Sequence, residues 1–510
     1  MSGLVQNRRD LAWLFAIAGI AVLLCLPFAH HMAWLGDEGI LLHAADRALN
    51  GHALYRDTFF FLPPGGVVFL EGWFAIAGVS WLSARVLAIA CIAAIACLTF
   101  LACRTASRRA PLSAVIASAW VVMSQGYWTQ VSYHWLCAMF AMVAVGAALR
   151  AVDAPRTARR DALIAGLAIG AAGMTMPTVG ALAALAALNA FVGRGRNLIA
   201  YIIGCAIVPL ALIAALAVQG TLGAAFEQAI LFPAQNYSPI QGVPFGAGAQ
   251  AQDRPMQVLY PLLAFAMLYL AARDRGRVFG DRRIHICVAF AIAGFISCFP
   301  RPDTIHIAMA APLALPLLSA VLQGIAAHWP KALRFAAAGI GLGLLVPSLI
   351  GYADYAKAVR SVETVNTARG PVRLQGQAGL KEILARIAAT PAGDRFLFYP
   401  YMPLLPFLTA RTHVAAYDLF VPGYSPGWQY RGACIAAMRD AAWVVIDRAW
   451  TDPKVLQATF PAMRETAPAE MTAFQTAMDG GFDVAARDGS FELRQRNGAG
   501  NEALCASIPD

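Results

Sequence analysis

Apolar residues fall in long runs along this chain, and the short polar stretches between them carry nearly all of its charge. A helix crosses the hydrocarbon core of a bilayer with about 20 residues. Runs of suitable length lie at 11–29, 84–103, 111–128, 136–152, 162–176, 178–193, 197–219, 258–272, 284–299, 307–327 and 335–351. The pattern predicts an α-helical polytopic membrane protein with about eleven transmembrane helices. Two stretches break the regularity. The uncharged run 162–193 is too long for one upright helix, has Pro177 and Gly180 near its middle, and is flanked on both sides by arginines (Arg156, Arg159, Arg160; Arg194, Arg196). Basic flanks belong on one face, so an even number of crossings, a tight hairpin, is expected. Gly66 to Gly78 is apolar but short and contains Glu71, which predicts a half-inserted or surface helix.

After Gly351 the pattern changes. Charges return, and short apolar runs (Phe396 to Tyr399, Trp443 to Ile446, Phe491 to Leu493) alternate with helix-like stretches, as in a small α/β domain. The expected organisation is a transmembrane part, 1–351, with a long polar first loop at 30–83, followed by a C-terminal extracytoplasmic α/β domain, 352–510. The Gly/Pro/Gln-rich stretch Gln241 to Gln252, within the loop 221–257, is expected to be mobile.

Composition agrees with lipid as the main solvent. Of 510 residues, 59% are hydrophobic and 13% charged, against about 25% charged in soluble proteins. The formal charge of +10 does not mark a nucleic-acid surface, because the basic residues sit in clusters between apolar runs. With the N-terminus cytoplasmic, eighteen arginines and lysines fall on that face: Arg8, Arg9, Arg104, Arg108, Arg109, Arg150, Arg156, Arg159, Arg160, Arg194, Arg196, Arg273, Arg275, Arg277, Arg282, Arg283, Lys331 and Arg334. Five fall on the other: Arg47, Arg56, Arg85, Arg254 and Arg301. The excess sets the orientation, and the first run reads as an uncleaved signal-anchor. Eight cysteines lie in or beside apolar runs as small packing residues; Cys434 and Cys505 lie in the polar part, where an oxidising compartment would allow a disulfide.

The remaining polar groups gather at the extracytoplasmic boundary. The first loop reads Gly36-Asp37-Glu38-Gly39, Asp46-Arg47, Tyr55-Arg56-Asp57 and Pro63-Pro64-Gly65; elsewhere stand Tyr133-His134-Trp135 and Arg301-Pro302-Asp303-Thr304-Ile305-His306. Adjacent carboxylates suit two tasks: one takes a proton from an acceptor hydroxyl while its neighbour orients it or holds a metal. A guanidinium forks onto phosphate, so Arg56 and Arg301, with His306, are candidates for a lipid phosphate. The plainer readings are a charge pair at a helix start for Asp37 and Glu38, arginine–aspartate pairs for Arg56 and Arg301, and boundary residues for His134, Tyr55 and Tyr237. A metal site joining His30 and His31 to Asp37 is a further reading of this loop. The glycines of 242–248 lack the lysine and the strand–helix setting of a phosphate loop.

These motifs resemble the GT-C glycosyltransferases, in particular bacterial relatives of the protein O-mannosyltransferases and the lipid A aminoarabinose transferases. The likeness covers the layout of the whole chain and is densest in the first loop, at Asp37-Glu38-Gly39, Ala45-x-Arg47-x-Leu49, Gly51, Tyr55-Arg56-Asp57 and Pro63-Pro64-Gly65. It implies inverting transfer of a sugar from a polyprenyl-phosphate donor to a glycan, lipid or protein acceptor at the periplasmic face of a bacterial inner membrane. Asp37 maps onto the general base and Glu38 assists, with a divalent cation (Mg or Mn) expected at Glu38. Arg56, Arg301 and His306 are expected on the donor phosphate; Tyr55, Asp57, His134, Tyr237 and Asp303 are expected on substrate. Many relatives carry a Lys-Gln pair after the fifth span; Thr175-Met176-Pro177 stands there in this chain, which shifts the phosphate contact to the arginines. The competing reading is a transporter or flippase of lipid-linked sugar, whose sites lie at the midplane on broken helices of repeated halves. The break at Pro177 to Gly180 suits it; the lack of an evident repeat does not.

Overall fold

The computed structural model of the protein describes residues 8–248, 252–498 and 500–510. In chain order the first helices are α1 (Arg8–Cys25), α2 (Asp37–Leu49), α3 (Gly65–Ala77), α4 (Trp81–Ser107), α5 (Ala110–Ser124), α6 (Tyr133–Asp153) and α7 (Ala158–Gly173). There follow α8 (Pro177–Leu188), α9 (Gly195–Val218), α10 (Leu222–Phe226), α11 (Met256–Arg273), α12 (Arg275–Gly280), α13 (Arg282–Ser297), α14 (Thr304–His328) and α15 (Lys331–Ser361). The last are α16 (Leu380–Ala389), α17 (Leu404–Thr409), α18 (Gly427–Asp440), α19 (Pro453–Thr459) and α20 (Ala469–Gly481). Strands are β1 (His31–Met32), β2 (Thr364–Thr367), β3 (Gly370–Leu374), β4 (Phe396–Tyr399), β5 (Trp443–Asp447), β6 (Phe482–Asp488) and β7 (Phe491–Arg496).

The protein is a polytopic α-helical membrane protein. Each expected span coincides with a helix, and among the described residues seven helices are long and apolar enough to cross a membrane. The apolar segment 66–78 is the thirteen-residue helix α3, short of a full crossing. The run 162–193 is the hairpin α7–α8, closed so tightly that a Cβ on Gly180 would stand 2.3 Å from the Cα of Gly173. α15 runs past the expected end at 351 to Ser361, because Ala353 to Arg360 is rich in good helix formers.

The chain divides into two compact units. One takes in the chain to Ala29, Val86–Ala215 and Pro244–Ala358. Its core is helix on helix, with α14 buried along most of its length. Trp120 of α5 donates its indole N–H to Ala308 O of α14 at 2.9 Å, so even this large apolar ring has its polar atom satisfied. Arg150 of α6 pairs with Asp161 of α7, and Thr157 Oγ1 donates to the same carboxylate at 2.7 Å.

The other unit comprises His30–Arg85, Leu216–Val243 and Val359–Asp510. It carries two sheets, in the orders β1-β3-β2 and β4-β5-β7-β6. β1, from the first loop, runs parallel to β3 with His31 opposite Arg373 and Met32 opposite Leu374. β4 and β5 are parallel; β7 is antiparallel to β5 and forms a hairpin with β6. The three apolar runs read from the sequence are β4, β5 and β7. Leu397, Tyr399, Val444 and Ile446 of β4 and β5 pack on Tyr430 and Met438 of α18 and Phe474 of α20. Cys434 of α18 is disulfide-bonded to Cys505. Much of the loop 221–257 is helical, in α10 and in successive turns from Glu227 to Ile240. Of the stretch expected to be mobile, 249–251 lies outside the described residues, and Gly246 is pinned: its N–H donates to Pro302 O at 2.7 Å, and its carbonyl accepts from Gln257 at 2.7 Å.

Candidate functional site

α2 starts at Asp37, straight after Gly36. Consecutive side chains diverge by about 100° around a helix, so the two carboxylates of the first turn meet different surroundings. Glu38 points inward and is 3% exposed. Arg85 forks onto it, with Nη2 2.8 Å from Glu38 Oε2 and Nη1 on Oε1, and also donates to His31 O at 2.8 Å. The Arg85 guanidinium stacks 3.9 Å above the Trp81 ring. Both oxygens of Glu38 thus face a cation that belongs to the protein. A divalent ion would have to displace it, so Glu38 does not fit the metal expected there. Among the described residues, no three His, Cys, Asp or Glu side chains group as metal ligands.

Asp37 is half-buried and points the other way. Tyr401 donates its hydroxyl proton to Asp37 Oδ1 at 2.5 Å, a charge-assisted bond that fixes the carboxylate's direction. The turn tolerates no bulk. A Cβ on Gly39 would come 2.1 Å from Leu404 N, and one on Gly36 would meet the Trp34 ring at 2.6 Å and Tyr401 at 2.9 Å. Tyr401 follows β4 and Trp450 follows β5, so both stand just beyond the carboxyl ends of two adjacent parallel strands.

The Tyr55-Arg56-Asp57 element closes on itself. Tyr55 has a left-handed φ of 69° and is 2% exposed; its hydroxyl donates to Leu62 O at 2.7 Å, and Gln228 donates to its carbonyl at 2.8 Å. Arg56 is exposed and forks onto Asp57 at 3.1 and 2.9 Å. That hydrogen bond, with one from the Ala53 N–H, holds the Asp57 carboxyl down at about 2. Tyr237 packs among aromatics, its ring 5.7 Å from Phe61 and 5.4 Å from Tyr424.

In the unit that contains α14, Asp303 is that helix's N-cap. Its Oδ1 accepts the His306 N–H at 3.0 Å and stands 2.6 Å from His306 Nδ1, while Arg301 Nε donates to Oδ2 at 3.0 Å. Burial alone would raise the Asp303 carboxyl, but the hydrogen bonds and charge of His306, with the charge of Arg301, hold it below the usual carboxylate range. The His134 ring stands nearly perpendicular to that of His306, with centroids 5.0 Å apart. Ala247 O accepts the Thr304 N–H at 3.0 Å, tying the neighbouring loop to this cap. Arg301, Asp303 and His306, neighbours in sequence, therefore form one cluster with His134 of α6. Asp37, Glu38, Tyr55, Arg56, Asp57 and Tyr237 belong to the other unit.

No family model and no curated protein matches this sequence. Solved structures do. ArnT from Cupriavidus metallidurans, bound to undecaprenyl phosphate, superposes with a TM-score of 0.57 at 13% identity, over 95% of this chain and 98% of that one. The apo state of the same protein gives 0.52 at 14% identity, over 97% and 98%. Arabinofuranosyltransferase AftD from Mycobacteria gives 0.52 at 16% identity, over 98% of this chain and 40% of that one. This chain has the GT-C fold. At such identities the likeness speaks for the fold and not for the chemistry, which rests on the residues. Within the GT-C fold of this chain, Tyr401 and Arg85 stand against the first-loop carboxylates and Trp34 and Trp450 stand against Tyr401, and sequence reasoning singled out none of them in that role. Arg85 had a signal, as an arginine at the mouth of an apolar run; the others, in polar or loop segments, had none.

Proposed function

We propose that the protein is a membrane glycosyltransferase that moves a sugar from a polyprenyl-phosphate donor to a hydroxyl of a periplasm-facing acceptor, with inversion. The observation that carries the reading is the division of labour in the first turn of α2. Glu38 is committed to Arg85, whereas Asp37 is half-buried and oriented by Tyr401. A carboxylate held in this way can take the proton of an acceptor hydroxyl as that oxygen attacks the anomeric carbon. The bond from that carbon to the phosphate oxygen breaks, its electron pair leaves with the polyprenyl phosphate, and a single displacement inverts the centre. Arg301 and His306, held by Asp303, and the exposed Arg56 are assigned to the donor phosphate, where charge develops. His134 supports His306. Tyr55, Asp57 and Tyr237 hold the surrounding loops. The fold shared with ArnT bound to undecaprenyl phosphate supports a donor of this class.

The test is transfer of radiolabelled sugar from polyprenyl-phosphate donors by purified protein in nanodiscs. Asp37→Asn is expected to abolish transfer, by at least about a thousandfold, while donor binding persists. Arg301→Ala is expected to raise the KM for donor. Undiminished transfer by Asp37→Asn would remove the base. Movement of lipid-linked sugar across vesicles without any transfer would replace the enzyme by a flippase.

A further inference from the structure

Trp34, Tyr401 and Trp450 make a corner of aromatic rings at Asp37. Trp34 and Trp450 lie 32° from parallel with centroids 5.7 Å apart. Tyr401 stands at 90° to Trp34 and 85° to Trp450, each centroid 5.2 Å away. The two tryptophans are half-buried, not sealed in the core. Trp34 Nε1, a buried donor, has no hydrogen-bond partner among the described residues, and buried donors ordinarily have one. The corner sits beyond the carboxyl ends of β4 and β5, where open α/β sheets receive ligands. Gly36 allows it: a side chain there would strike both Trp34 and Tyr401.

Such a corner matches one ligand chemistry. A pyranose or furanose ring has an apolar C–H face that packs on an aromatic ring and an edge of hydroxyls. Here those hydroxyls would meet an indole N–H that lacks an acceptor, the Tyr401 hydroxyl and the Asp37 carboxylate. A peptide or a lipid headgroup without sugar would leave the stacked faces or the polar edge unmatched. Tyr401 touches the base and both tryptophans touch Tyr401, and the molecule that gives its proton to that base is the acceptor.

We propose that Trp34, Tyr401 and Trp450 form the acceptor subsite and that the acceptor presents a saccharide ring, stacked in this corner with a hydroxyl at Asp37. The proposal rests on Asp37 being the base. Its test therefore separates binding from transfer. Saturation-transfer NMR on the full chain in nanodiscs, free of sugar detergents, is run with methyl glycosides of glucose, galactose, mannose, glucosamine and arabinose. At least one glycoside is expected to bind wild type. Trp450→Ala is expected to weaken that binding tenfold or more and to raise the acceptor KM while leaving the donor KM unchanged, and Trp450→Phe to restore most of both. Should Trp450→Ala not fold, Trp450→Leu and Trp34→Phe serve, with partial loss expected. Glycoside binding indifferent to these changes, or absent from wild type, overturns the subsite even when Asp37→Asn abolishes transfer. Binding that depends on Trp450 in a protein with no transfer from any donor keeps the subsite and overturns the transferase.

Discussion

Asp37 and Glu38 carry the same chemical group one residue apart, and their surroundings give them different work. Glu38→Ala would leave Arg85 buried with no carboxylate, and breaking such a pair destabilises by about 3–5 kcal/mol. The expected result is a large fall in thermal stability, while Asp37→Asn leaves the melting temperature within a few degrees of wild type. Equal losses of stability would assign Asp37 a structural role. A second residue-scale expectation concerns two buried histidines. Burial pushes His413 down from 6.5 to about 4, against the pull of Asp418, and pushes His31 down to about 3, with the Arg85 charge adding to the fall. The groups around His413 are Asp418, His43 and Arg47, and the Phe398 N–H donates to its Nδ1 at 3.2 Å. The unfolded chain takes up these protons near the ordinary histidine value while the folded chain refuses them. Stability from this source is complete above about pH 6.5 and falls as pH drops toward 4, by up to about 1.4 kcal/mol per pH unit for each histidine. Melting temperatures at about pH 7 and pH 5 are expected to differ less for His413→Gln than for wild type; an unchanged difference would show that His413 takes its proton in the folded state.

At the scale of elements, what the sequence disclosed is what local spacing encodes. Apolar run length located a helix at each expected span, and the three-residue step from Asp303 to His306 brings cap and imidazole together. Arg56 and Asp57 are neighbours and pair as neighbours. The contacts that define the site are of another kind. Asp37 meets Tyr401 across 364 positions, and Glu38 meets Arg85 across 47. No period or motif spans such separations, and only the pairing of elements brings them about. α2 is therefore sensitive to its seat. Gly39→Ala drives a methyl group into the backbone at Leu404, an overpacking expected to cost about 1–3 kcal/mol and to lower kcat by loosening the Tyr401 contact. Unaltered stability and kcat would show that the segment 403–404 yields. The Cys434–Cys505 disulfide closes a separation of 71 residues around α18 and α20. Cys505→Ala is expected to lower stability by about 2–5 kcal/mol, and adding reductant to wild type is expected to reproduce the loss; melting curves that reductant does not move would mean the cysteines are reduced in the protein.

At the scale of the whole molecule, sheet pairing constrains topology independently of charge. β1 and β3 are hydrogen-bonded in one sheet, so His31 and Arg373 lie on the same side of the membrane. The chain between them must cross an even number of times, which the ten expected spans from 84 to 351 satisfy. Gln228 bonds to the Tyr55 carbonyl at 2.8 Å, so the crossings between those two are also even, and the six expected spans from 84 to 219 comply with α7–α8 read as a hairpin and not as a single crossing. Eighteen basic residues against five give the expected sign of the face, which fusions test. Alkaline phosphatase, active only where disulfides form, is expected to be active when fused after Asp510 or inserted at Gly51, and green fluorescent protein at the same places to stay dark. A Cys434–Cys505 disulfide is expected only on an oxidising side. The reverse outcome at both places would keep the parity and invert the protein, moving Asp37 and its acceptor to the cytoplasm. Opposite outcomes at Gly51 and Asp510 cannot coexist with a strand shared between β1 and β3, and would overturn the sheet itself.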